Sequence, residues 1–150
     1  MIGKTDEITT LNTLTTTLID SVNGYRDAAE HSESSNLQEL FRTNADERSR
    51  IVEELRAEVR RLGGDPEDDQ STLGQMHQRW LDLKAAIAGR DEKAVINSVE
   101  FGEDYLKEKF ETALESGHLS GESRAIVERA YQSVRKGHDQ VSSIKHGFEA

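Results

Sequence analysis

The chain has 150 residues, a length typical of one domain, and its 29 acidic and 19 basic side chains give a formal net charge of −10. Such a surface repels phosphate groups, so we expect neither a nucleic-acid partner nor an anionic membrane. The sequence has no cysteine, which excludes disulfides, thiolate metal sites and a cysteine nucleophile.

Apolar residues recur at steps of three and four along the chain, a spacing that predicts helices and no strands. The predicted helices are separated by breaks rich in glycine, serine or acidic residues, and they cover about 6–31, 36–62, 71–88, 91–116 and 122–146. The sequence starts with no basic segment followed by an apolar run, and no stretch approaches the ~18 apolar residues of a membrane span. We therefore expect a cytoplasmic protein.

Loop lengths set the predicted topology. The short loops 32–35 and 117–121 make the helices on either side of each loop antiparallel neighbours. The stretch 71–88 would be about 27 Å long as a helix, enough to run back along the bundle and leave helices two and three parallel. Residues 1–150 are thus expected to form one all-α domain, a ferritin-like four-helix bundle with a helical crossover between helices two and three.

Short motifs are spread in order along nearly the whole chain: Leu11-Asn12-Thr13-Leu14, Asp20 with Gly24-Tyr25 and Ala28-Ala29-Glu30, Leu62-Gly63-Gly64-Asp65-Pro66, His77-Gln78-Arg79-Trp80, Glu100 with Gly102-Glu103-Asp104, and Gly137-His138-Asp139. Together they resemble an uncharacterised bacterial family of ferritin-like four-helix bundles, a domain of unknown function. The resemblance implies the same fold and a bacterial, stress-related context. It implies no activity.

A ferritin-like di-metal site needs inward-pointing carboxylates, with a Glu-x-x-His pair on two of the helices. Among the five histidines, only His118 follows a glutamate by three positions, and Gly117 breaks the helix between the two. Four residues at one depth of the predicted bundle are nevertheless candidate ligands for iron or another divalent metal: Glu47, Glu100, Glu103 and His138.

The same depth can instead hold a buried polar layer of Asn44, Arg48, Glu103 and His138, with Arg48 and Glu103 as an ion pair. Both residues of this pair fall on the apolar stripes of helices that are predicted to run parallel. Buried charges are normally paired, and a permanent cation at this depth disfavours a bound dication. We therefore favour the ion pair and expect no cofactor, with a degenerate iron site as the alternative.

Function is constrained mainly by what the sequence lacks. It contains no Walker loop, nucleophile elbow or Ser-His-Asp order. We expect a non-catalytic structural or interaction protein with no established activity, and a metal-binding or redox bundle is the alternative. Apolar residues that lie away from the centres of their helical stripes predict a homodimer, and these are Leu14, Ile19, Phe101 and Tyr105.

Overall fold

A computed structural model describes residues 4–32, 34–66, 89 and 92–149, and these residues form a four-helix bundle without strands. The helices are α1 (Lys4–His31), α2 (Ser35–Arg61), α3 (Glu92–Glu115) and α4 (Gly121–Glu149). The all-α bundle predicted from the sequence is confirmed, and the bounds of each long helix agree within a few residues. The predicted short helix at 71–88 lies outside the described residues.

The hairpin of α1 and α2 is fixed at both of its ends by local hydrogen bonds. Ser34 caps α2, because its hydroxyl accepts from the backbone N–H of Leu37 at 3.3 Å. At the other end, Gly63 has a φ of +87°, the left-handed conformation that ends many helices. A Cβ on Gly64 would lie 2.8 Å from the Ile8 side chain, so the turn after α2 packs tightly on α1.

The apolar core is divided into two clusters along the bundle axis. The larger cluster joins the first half of α1 to the second half of α2, and it includes Leu18, Leu55, Leu106 and Val134. The smaller cluster joins the end of α1 to the start of α2, and it includes Tyr25, Phe41, Ile96 and Val141. Between the two clusters lies the level of Arg48 and Glu103.

Cluster membership also gives the direction of each helix. Phe41 near the start of α2 and Ile96 near the start of α3 share the smaller cluster, so these two helices begin at the same end. Val59 and Ala113, late in α2 and α3, share the larger cluster. Helices α2 and α3 are therefore parallel.

Helix α1 packs against α2 and α3, and α4 packs against the same two helices. The parallel helices α2 and α3 thus face each other across the bundle axis, with α1 and α4 on either side. None of the helices in the described ranges combines the length and apolarity that a membrane crossing requires.

The four residues behind the predicted homodimer are not equally accessible. Leu14 is buried in the larger cluster, so its assignment to a contact surface is wrong. Helix α1 contacts both α2 and α3, which makes its buried face wider than a single stripe. Ile19 and Tyr105 are partly buried against the core, whereas Phe101 is 39% exposed. The homodimer stays a prediction.

Candidate functional site

Arg48 and Glu103 form a bidentate ion pair in the centre of the bundle. Nη1 of Arg48 donates to Oε1 of Glu103 at 2.7 Å, and Nη2 donates to Oε2 at 2.6 Å. Both side chains are only 2% exposed. Nη1 also donates to the hydroxyl of Ser21 on α1, at 2.8 Å. One guanidinium group therefore links α1, α2 and α3.

The helical repeat places both charges on the bundle axis. Arg48 stands seven residues after Phe41 on α2, and Glu103 stands seven residues before Phe110 on α3. Residues seven apart lie on the same face of a helix, so each charge shares the face of a fully buried aromatic ring. Removing two charges from water is unfavourable, and the paired bidentate geometry offsets that penalty.

Tyr25 covers the ion pair on the side that faces the α1–α2 loop. The guanidinium carbon of Arg48 lies 5.5 Å from the centroid of its ring, a distance at which a cation is attracted to the aromatic face. Burial and the neighbouring carboxylate of Glu103 raise the pKa of Tyr25 well above its usual value. Burial by itself lowers the pKa of Arg48, but the carboxylate of Glu103 raises it by more. The net pKa is above the usual value, so the guanidinium stays charged.

Gly137 on α4 closes the fourth side of the pair. A Cβ at this position would lie 2.5 Å from Nη2 of Arg48 and 3.2 Å from Oε2 of Glu103. The guanidinium cannot move aside without losing its bonds to Glu103 or Ser21. All four helices therefore contribute to one polar layer, and α4 contributes by having no side chain there.

The four candidate metal ligands have separate partners. The carboxylate of Glu103 is bound to Arg48, whereas that of Glu100 pairs with Lys145 at 2.8 Å. Glu47 of α2 accepts a hydrogen bond from Ser133, which lies on the side of α4 that faces α2.

His138 lies on the other flank of α4, next to α3. Its Nε2 pairs with Asp104 of α3, and its Nδ1 pairs with the adjacent Asp139 at 3.2 Å. Helix α4 thus separates His138 and Glu100 from Glu47. Within the described ranges, no three His, Asp or Glu side chains converge in a group that could hold a metal ion. Metal binding at these residues stays a prediction.

Asn44 belongs to the same layer and is 4% exposed. Its side-chain nitrogen has no hydrogen-bond partner among the described residues, and neither has the hydroxyl of Tyr25. These two groups lie next to each other beside the Arg48–Glu103 pair, and the Tyr25 hydroxyl also faces the carboxylate of Glu103.

A second buried carboxylate lies at the opposite end of the bundle. Glu58 is 3% exposed and accepts two hydrogen bonds from Arg61, both at 2.6 Å. The buried hydroxyl of Ser123 on α4 donates a third. The hydrogen bonds from Arg61 lower the pKa of Glu58 although burial opposes the change. Glu58 stands seven residues after the buried Ile51, so the helical repeat places it on the inner face of α2, and its cation comes from the next turn of the same helix.

Replacing Gly137 by alanine tests the close approach of α4 to the ion pair. We expect Gly137→Ala to lower the free energy of unfolding by about 1–3 kcal/mol, since the added methyl group displaces the guanidinium. Alanine is by itself the better helix former by about 1 kcal/mol. Gly147→Ala is the matched control, because a Cβ there has no neighbour within 4 Å. Urea unfolding should show a loss of stability for Gly137→Ala and none for Gly147→Ala. Equal changes in the two variants would contradict the packing argument.

His138 gives the stability a pH dependence with a defined sign. Burial lowers the pKa of His138, as does nearby Lys107, but hydrogen bonds to Asp139 and Asp104 outweigh both and raise it. Since the folded pKa is raised, the protonated ring stabilises the fold fully below about pH 6.5, the unperturbed value. That contribution is lost as the pH rises through the folded pKa.

The test compares urea unfolding of the wild type and His138→Gln between about pH 5.5 and pH 9. The stability deficit of the variant should shrink as the pH rises. It should also be smaller throughout in an Asp104→Asn background, where one of the two carboxylates is gone. A deficit that stays constant with pH would show that the two aspartates do not favour the charged ring.

The known family matches most of the chain. A family described as a domain of unknown function, DUF2383, matches residues 6–116, which include the layer residues Ser21, Tyr25, Asn44, Arg48 and Glu103. No curated protein matches the chain. Because this match covers more than half of the chain, the chain belongs to the DUF2383 family, whose function is unknown.

Proposed function

We propose that this chain is a ferritin-like, non-catalytic bundle of the bacterial cytoplasm that acts as a structural or interaction protein and associates with a second copy of itself. The parallel arrangement of α2 and α3, with one long connection between two hairpins, supports the ferritin-like part. The bacterial, cytoplasmic and stress-related parts depend on the resemblance of the short motifs. No geometry in the bundle bears on them.

The observation that carries the proposal is the Arg48–Glu103 ion pair. Ferritin-like di-metal proteins place their carboxylate ligands in the core of the bundle, and here the carboxylate of Glu103, between the two core clusters, has both oxygens bound to arginine. A metal ion on Glu103 would have to displace Arg48. The displaced guanidinium would then be a buried charge without a partner, which is strongly destabilising.

The alternative function is an iron-binding or redox bundle, and metal analysis separates it from the structural function. We expect protein purified without chelator to contain well below one equivalent of metal. Adding ferrous iron and oxygen should cause no absorbance change in the wild type, in Arg48→Met or in Glu103→Gln. The exposed Glu108→Gln on the same helix is the control for loss of one carboxylate charge.

The metal-binding function makes the opposite expectations. Iron would bind to the wild type, Glu103→Gln would abolish that binding, and Arg48→Met would leave it unchanged or strengthen it by removing a competing cation. This pattern, with normal binding in Glu108→Gln, would overturn the proposed function.

A further inference from the structure

We draw no further inference here: the strongest candidate, the groove on the seam between α1 and α2 that is lined by the apolar side chains of Ile19, Val22 and Val52, carries nothing because no contact in the described part of the chain shows what covers it.

Discussion

A buried arginine needs a partner for its charge, and the fold of this chain meets that need at one level of the bundle. Arg48 from α2 binds Glu103 from α3 and Ser21 from α1, and Gly137 lets α4 approach the pair. The apolar core lies in two clusters on either side. Sliding α2 past α3 by one turn, about 5.4 Å, would leave both charges unpaired in the core, so the ion pair fixes the register of the parallel helices.

Other polar contacts are arranged around this layer and act on single pairs of helices. Towards the end opposite the α1–α2 loop, Glu58 holds Arg61 and the Ser123 hydroxyl of α4. Between α3 and α4, paired contacts occur at the levels of Glu100, Asp104 and Glu111. The acidic composition thus has a structural use, since many of these carboxylates accept hydrogen bonds from a neighbouring helix.

Much of this arrangement follows from periodicity and length. The stripes of α2 and α3 place Arg48 and Glu103 inward, and counting 1.5 Å per residue from the helix ends gives them the same depth. Residues at the edges of the stripes are harder to place, because their facing is compatible with either neighbouring helix. Glu47 and His138 illustrate this, since they lie at similar depths and yet contact opposite sides.

Two contributions to the layer could not be derived from residue patterns. Gly137 matters through a clearance of a few ångströms between α4 and the guanidinium, which appears only once the helices are packed. A glycine in the middle of a 29-residue helix is the one signal that could have pointed to it. Ser21 stands three residues after Leu18 and four before Tyr25, so its spacing places it on the inner face of α1, but spacing alone does not pair it with Arg48.

The central claim is that Arg48 and Glu103 act as one buried unit, and a double-mutant cycle in urea tests it most directly. Glu103→Leu alone should lower the free energy of unfolding by about 3–5 kcal/mol, because it leaves the arginine charge without a partner. The double variant Arg48→Met with Glu103→Leu should lose much less than the two single variants combined, since both charges leave together. The exposed Arg124–Glu128 pair is the control, with a coupling of at most about 1 kcal/mol. Small and additive effects at Arg48 and Glu103, equal to those of the control pair, would contradict the account.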